Sequence, residues 1–449
     1  MTYRSPKRRR IHEFSPLNLT GLTRVHGSAV NYEMEEELCP LPFVPSGFRD
    51  PDNPPKPLQH CIRVDSSAYV PRAWASKVLG VTNCGEVGRE VSVPFVGDLL
   101  PEKRQPEAVE TVLKVIREDY GAILSVPTGY GKTAMSLKII SELGRLALFV
   151  VNTGDLLEQA VRAFRKFSPD VRIGVIQGTV YQVDNVDIVV GMMQTLASRM
   201  PDMSMFGTLV IDEAHTVCCR WLSRCLFNCP ARYRLAVSAT PKRADGMERV
   251  LNWHFGSGGF FLREDSSSRS FRPSVRRINF GSRYVPSGSL SRVSIISSLC
   301  DSRPRNSIIT DVITDAYREG RRIMCGSERK DQLTLLRAML VFSDVVEDDI
   351  LILTADTKNR RELVLSNYRI ILGTYKLIET GLNVPEFDTA VWCSPRSKAQ
   401  QFCGRVLREH PDKKVPLIID FVDEHPLFRN SHSARMRYFR EAGFRVTRE

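Results

Sequence analysis

With 449 residues, 42% of them hydrophobic and 25% charged, the chain has the composition of a soluble globular protein with room for two or three domains. It holds no apolar run near the roughly 18 residues of a membrane span, and its opening stretch, MTYRSPKRRRIHEF, lacks the apolar core of a secretory leader. A formal net charge of +12 favours a polyanionic partner, because lysines and arginines that neutralise phosphates release counterions.

Residues 1–60 read as a flexible arm, with the basic run Lys7-Arg8-Arg9-Arg10, an acidic patch at Glu33 to Glu37 and prolines from Pro51 to Pro57. Residues 61–97 read as a small accessory region of strands. From 98 to 255 short apolar strands alternate with helices. A helix at 103–118 leads to a strand at 122–126, and further strands follow at 146–151, 188–191, 208–211 and 235–238, with a helix at 155–167. That alternation predicts a parallel sheet covered on both faces. Residues 256–299, rich in Gly, Ser and Arg, read as a connection with a little strand. A second alternation over 300–425 places strands at 322–325, 350–353, 370–373, 389–393 and 416–421. Residues 426–449 read as a basic helix packed on this second lobe. The fold class is therefore α/β, two tandem parallel-sheet lobes behind a small N-terminal region.

Eleven cysteines lack the spacing of a secreted scaffold, which points to reduced thiols in an intracellular compartment. The densest group is Cys218, Cys219, Cys225 and Cys229, near His215. Zinc is one reading. The other is a buried helix with Leu222, Cys225, Leu226 and Cys229 on one face, which the absence of a paired C-x-x-C favours.

Three motifs carry chemistry. Pro127-Thr128-Gly129-Tyr130-Gly131-Lys132-Thr133 follows a predicted strand and opens a helix, the setting of a phosphate-binding loop. Gly129 and Gly131 let the backbone turn and aim N–H groups at phosphate oxygens. Lys132 reaches the β- and γ-phosphates, and the Thr133 hydroxyl ligates magnesium. Asp212 and Glu213 end an apolar strand. Asp212 holds the magnesium through water, and Glu213 orients and deprotonates the attacking water. Far downstream stands Gln401-Phe402-Cys403-Gly404-Arg405-Val406-Leu407-Arg408. Together they describe an ATP- and magnesium-dependent machine split between two lobes.

These residues resemble the motifs of superfamily 2 helicases of the DEAH-box type. Asp212-Glu213-Ala214-His215 and Ser238-Ala239-Thr240-Pro241 look like motifs II and III, Val151-Asn152-Thr153 like motif Ia, Glu379 to Pro385 like motif V, and Gln401 to Arg408 like motif VI. The resemblance covers about 98 to 425 and implies RecA-like lobes. Ser-Ala-Thr-Pro-Lys-Arg-Ala-Asp-Gly at 238–246 and Ile-Ile-Asp-Phe-Val-Asp-Glu-His-Pro-Leu-Phe at 418–428 are similar to the XPB-like group, which includes phage DNA helicases and the poxvirus transcript-release helicase.

The resemblance implies that Gln105 reads the adenine edge, although Pro101 to Gln105 matches the family form only loosely. It implies that Arg405 and Arg408 reach the γ-phosphate as arginine fingers with Gln401 placing them. His215, Ser238, Thr240, Gly381 and Asn383 would couple phosphate state to lobe closure. Asn383 stands where relatives often carry aspartate, so hydrolysis is expected to survive with altered coupling. Thr195, Arg329 and Thr374 are the nucleic-acid candidates. The function implied is an ATP-dependent DNA helicase or translocase acting in transcript release, repair or recombination, with transcription or repair machinery as partner. An RNA helicase is the alternative, and a nucleic-acid-binding scaffold with a decayed ATPase the other class. Lys7 to Arg10 reads as a nuclear import signal, a basic arm or a solvated tail. Location is expected inside the cell, in the host nucleus if that run is a signal, otherwise in cytoplasm or virion.

Overall fold

The computed structural model describes residues 19–41, 56–127, 129–239, 245–262, 271–281, 291–357, 363–381, 384–396, 400–408 and 410–448. The chain divides into two compact units, Met1–Arg263 and Glu264–Glu449.

The first unit opens with β1 (Thr23–His26), α1 (Tyr32–Leu38), β2 (Ile62–Val64), β3 (Ser67–Val70) and α2 (Arg72–Trp74). The three strands make an antiparallel sheet in the order β1-β3-β2, with Thr23 opposite Val70 and Ile62 opposite Tyr69. This corrects the reading of a flexible arm for residues 19–41 and 56–60, the part of that stretch that is described. Residues 19–41 are built into the unit: the Gly21 N–H donates to Phe227 O at 2.7 Å, and the Arg234 guanidinium donates to Gly21 O at 2.7 Å. α1 is started by Asn31, whose side chain accepts from the Met34 N–H. Lys7 to Arg10 lie outside the described residues.

The body of the unit follows as α3 (Gln105–Asp119), β4 (Gly121–Ser125), α4 (Lys132–Leu143), β5 (Ala147–Val151), α5 (Gly154–Phe167), β6 (Ile173–Gln177), β7 (Val180–Tyr181), β8 (Ile188–Met192), α6 (Met193–Arg199), β9 (Thr208–Ile211), β10 (Tyr233–Ser238), α7 (Arg249–Phe255) and β11 (Gly259–Phe261). The sheet order is β11-β4-β10-β9-β5-β8-β6-β7, parallel except where β6 meets β7. Along β5, Leu148 and Val150 enter one core while Ala147, Phe149 and Val151 enter the other, so both faces are covered. α3 buries Ala108, Val109, Val112, Leu113 and Ile116 at helical spacing. α5 is capped by the Thr153 hydroxyl and carries Asp155 in its first turn and Arg165 and Lys166 in its last, matching the helix dipole.

The second unit contains β12 (Ser274–Phe280), α8 (Arg292–Asp301), α9 (Arg303–Arg318), β13 (Ile323–Ser327), α10 (Lys330–Phe342), β14 (Ile350–Leu353), β15 (Ile370–Thr374), α11 (Tyr375–Gly381), β16 (Thr389–Trp392), α12 (Gln400–Val406), β17 (Leu417–Asp423), α13 (Arg429–Glu441) and β18 (Arg445–Arg448). Its strands run in the order β14-β15-β13-β16-β17-β12-β18, each neighbouring pair parallel. Both units are thus RecA-like α/β lobes. Two expectations change here. The stretch 256–299 is no mere connection, since β12 is a full member of the second sheet between β17 and β18. The tail after 426 is a helix followed by an edge strand, not a helix alone.

Candidate nucleotide site

β4, β10 and β9 are adjacent, parallel and in register: Ser125 sits opposite Ser238, and Ala236 opposite Ile211. Their carboxyl ends therefore deliver three sequence-distant segments to one edge of the sheet, where open α/β sheets bind ligands. The segments are the loop after β4, Asp212-Glu213 after β9, and Ser238 at the end of β10.

The loop reaches α4 through left-handed backbone at Gly129 (φ 84°) and Gly131 (φ 82°), a conformation that favours glycine. Gly131 is the residue before Lys132, so Lys132 and Thr133 occupy the first turn of α4, whose N–H groups are available to phosphate oxygens. Lys132 Nζ lies 3.4 Å from Glu213 Oε1. The Val126 N–H donates to Ser238 O at 3.3 Å and ties the loop base to β10. Thr128 and Thr240 lie outside the described residues.

Gln105 is packed against the loop. It is buried, its amide nitrogen donates to Tyr130 O at 2.7 Å, and its amide oxygen accepts from the Leu100 N–H at 2.9 Å. A Cβ on Gly131 would stand 2.6 Å from that amide nitrogen. The side chain clamps the crown of the loop.

Burial, and next the neighbouring Glu213 charge, raise the Asp212 carboxyl to about 6, against the lowering pull of Lys132. Its Oδ1 accepts from the Glu213 N–H at 2.9 Å. Glu213 has φ 47°, left-handed backbone in a residue with a Cβ, and such strain of about 1–2 kcal/mol persists where surrounding structure over-determines it. The His215 ring nitrogen Nδ1 is 3.5 Å from Glu213 Oε2 and 3.1 Å from Ser238 Oγ, which links the acid pair to β10. The Asp212 carboxylate at the end of β9 and the Thr133 hydroxyl in the first turn of α4 are oxygen donors of the kind that suits magnesium.

In the second unit Arg405 lies in the last turn of α12, with Gln401 in its first. Burial disfavours the charged form of the Arg408 guanidinium. Sequence reasoning missed Lys413. Its Nζ donates to Pro385 O at 2.9 Å and Arg408 O at 2.8 Å, tying the end of the motif V-like segment to the end of the arginine motif. Burial lowers it to about 8. No spacing rule marks a lysine in a loop, so the signal was absent from the sequence. Gly381 ends α11, and Asn383 lies outside the described residues.

Among the nucleic-acid candidates, Thr195 Oγ1 accepts from the Gly178 N–H at 3.0 Å, and Thr374 closes β15 opposite Ser327. Arg329 donates to Ser297 Oγ at 3.0 Å and to Val293 O at 3.3 Å, which anchors it to α8. Gln194 and Asn152 were not singled out, yet the Gln194 amide nitrogen donates to Asn152 O at 2.8 Å and to Asn152 Oδ1 at 2.7 Å. Cys218, Cys225 and Cys229 are buried around a short 3-10 helix, Leu222–Leu226. Among the described residues, no three His, Cys, Asp or Glu side chains are grouped to hold a metal.

Comparison with known proteins fits this geometry. Residues 98–243 match the family described as "Type III restriction enzyme, res subunit". The chain is 25% identical over 440 residues to "Putative ATP-dependent RNA helicase L396" of Acanthamoeba polyphaga mimivirus, covering 92% of this chain and 82% of that one. It is 21% identical over 358 residues to "Probable helicase D10" of Escherichia phage T5, covering 77% and 78%. Among solved structures, a fragment of "a putative HsdR subunit of a type I restriction enzyme from Vibrio vulnificus YJ016" aligns at a TM-score of 0.58 and 18% identity, over 79% of this chain and 69% of that one. At that identity the likeness concerns the fold.

Proposed function

We infer, from the helicase-like motifs and the similarity to a viral protein named as an ATP-dependent RNA helicase and to a phage protein named as a helicase, that this chain is a superfamily 2 DNA translocase that opens duplexes or strips bound molecules such as transcripts. The observation that carries the reading is the meeting of Lys132 with Glu213 at 3.4 Å, beside Asp212, on the carboxyl edge of the first sheet. Lys132 and the first turn of α4 bind the phosphates. Gln105 holds the loop in shape. Glu213 positions and deprotonates the attacking water, and His215 with Ser238 passes the state of that acid to β10. Thr133 and Asp212 would hold magnesium, which when bound neutralises phosphate charge. Arg405 and Arg408 would supply positive charge to the γ-phosphate, the role that the resemblance of 401–408 to the family's arginine motif implies.

DNA is preferred over RNA on the motif III-like string at 238–246. The RNA reading has its own support in the printed name of the mimivirus relative. Steady-state hydrolysis separates them, measured with no nucleic acid, single-stranded DNA, duplex DNA and RNA. Stimulation by DNA alone fits the proposal, and stimulation by RNA alone overturns it. Glu213→Gln is expected to keep ATP binding and lower turnover by at least ~100-fold, the usual contribution of a positioned general base. Normal turnover in that variant would remove Glu213 from its role.

A further inference from the structure

The first unit buries two arginines that meet no carboxylate among the described residues. Arg72, in α2, is 5% exposed and Arg234, near the start of β10, 1%. Arg72 donates from Nε to Asn83 O at 2.8 Å and from Nη1 to Ala231 O at 2.6 Å. Arg234 donates from Nη2 to Gly21 O at 2.7 Å and to Cys229 O. Its Nε and Nη1 are buried with no hydrogen-bond partner among the described residues. These acceptors are backbone carbonyls, which take a hydrogen bond and cancel no charge. The neighbouring Cys229 thiol is pushed up by burial, so it supplies no anion at neutral pH. Burial, and next the Arg234 charge, bring Arg72 down to about 8, and burial brings Arg234 down to about 10. Buried guanidiniums without a counter-ion are costly, and two close together repel each other.

Both arginines line a cavity of about 620 Å³ at the amino edge of the first sheet. Gly121, which opens β4 and lies opposite Arg234, lines it too. The nucleotide loop stands at the other end of β4, whose five residues put roughly 16 Å between the two ends. Trp74 and Trp253 supply apolar wall, and the buried His254 ring lines it with Nδ1 lacking a hydrogen-bond partner among the described residues. Lys77 and Arg249 are exposed lining residues. So are three acids, Glu37, Glu118 and Asp119, and none of them acts on the charge of Arg72 or Arg234. Exposed acids repel an extended polyanion, and the volume lies in the range of small-molecule sites.

We propose that this cavity binds a small organic anion, whose carboxylate or phosphate oxygens meet the Arg72 and Arg234 guanidiniums and whose apolar part lies against Trp74 and Trp253. Guanidinium forks suit both kinds of oxyanion, since each offers paired acceptor oxygens. The site is separate from the nucleotide loop and does not depend on the chain being a nucleic-acid motor.

The test uses the full chain. Inorganic phosphate and acetate are titrated separately at constant ionic strength, which holds screening fixed, while tryptophan fluorescence and Tm are followed. Trp74 and Trp253, two of the four tryptophans, report from the cavity wall. Lys132→Ala is titrated in parallel, because phosphate also has the nucleotide loop to bind. A saturable fluorescence change with a rise in Tm is expected, and it should persist in Lys132→Ala. Arg234→Met is expected to weaken binding by about tenfold or more, the worth of a hydrogen bond to a charged group. Lys77→Ala/Arg249→Ala, two surface changes, should weaken it several-fold and leave ATP hydrolysis unchanged. A response to phosphate alone assigns the occupant to phosphate compounds, one to acetate alone assigns it to carboxylates, and a response to both supports the oxyanion site as stated. No response to either anion, or one that Lys132→Ala abolishes, overturns the proposal. Unchanged affinity in Arg234→Met overturns it as well; if that variant does not fold, unchanged affinity in the surface pair does so.

Discussion

Gln105 shows how packing adds a second candidate task to a side chain that the resemblance singles out. Its position before the first strand of the core suggested contact with the nucleobase, but both ends of its amide are engaged by backbone, at Tyr130 O and the Leu100 N–H. A residue that clamps the loop affects every nucleotide alike, whereas one that reads the adenine edge affects ATP more than GTP. Gln105→Ala is therefore expected to raise KM for ATP and GTP several-fold and by similar factors, with kcat changed less. Steady-state kinetics with both nucleotides checks it, and loss of discrimination with affinity for GTP preserved would restore the nucleobase role. Lys132, Asp212 and Glu213 could be picked out from contiguous motifs whose residue types do not depend on what packs around them, and the fold brings Lys132 within 3.4 Å of Glu213. Lys413 was not, because its partners Pro385 and Arg408 meet it only in the fold.

At the scale of elements, legibility followed hydrophobic runs. β4, β5, β8, β9 and β10 are buried almost throughout and announce themselves as short apolar segments. β12, with sequence SVRRINF, and β18, with sequence RVTR, carry arginines inside the strand and read as loop or helix; parallel pairing with neighbours, not local pattern, makes them strands. The N-terminal segment was misread for the same reason. It is fixed partly by His60, whose Nδ1 lies 3.0 Å from His254 Nε2 of α7, both rings buried. Burial pushes His60 down to about 3 and His254 well below its ordinary value. In the unfolded chain both titrate near 6.5. Above that pH neither state binds the proton and the stabilisation is complete; below it the unfolded chain takes protons that the folded pair refuses. Stability should fall as pH drops from 6.5 towards 3, by up to about 1.4 kcal/mol per pH unit for each excluded proton. Urea midpoints at pH 7.5 and 5.5 test this, and His60→Gln should flatten the difference; an equal difference in that variant would place the effect elsewhere. Lys413→Met strips two donors from the junction of the motif V-like segment with the arginine motif. It should reduce stimulation of hydrolysis by nucleic acid while KM for ATP in its absence stays within about twofold.

At the scale of the whole molecule the two lobes are unequal in chemistry. The first contains the phosphate loop, the acid pair and the histidine link, all on one sheet edge. The second repeats the parallel α/β plan without a glycine-rich loop of that kind among its described residues and carries Arg405 on α12. If each lobe were a self-sufficient ATPase, removing an arginine from the second would leave turnover in the first untouched. If hydrolysis belongs to the pair, the loop and acids bind nucleotide and the arginine supplies charge only as the γ-phosphate leaves. Binding and turnover then come apart under one substitution. Arg405→Ala in the full chain should keep affinity for a fluorescent ATP analogue within a few-fold, because Lys132 and the first turn of α4 are unchanged. It should lower kcat by about 10³-fold, the contribution typical of an arginine acting on a transferring phosphoryl group. Arg405→Lys should recover little of it, since an ammonium keeps the charge but not the planar fork. Equal losses of affinity and kcat would mean that Arg405 supports the second lobe's structure and leaves the chemistry to the first.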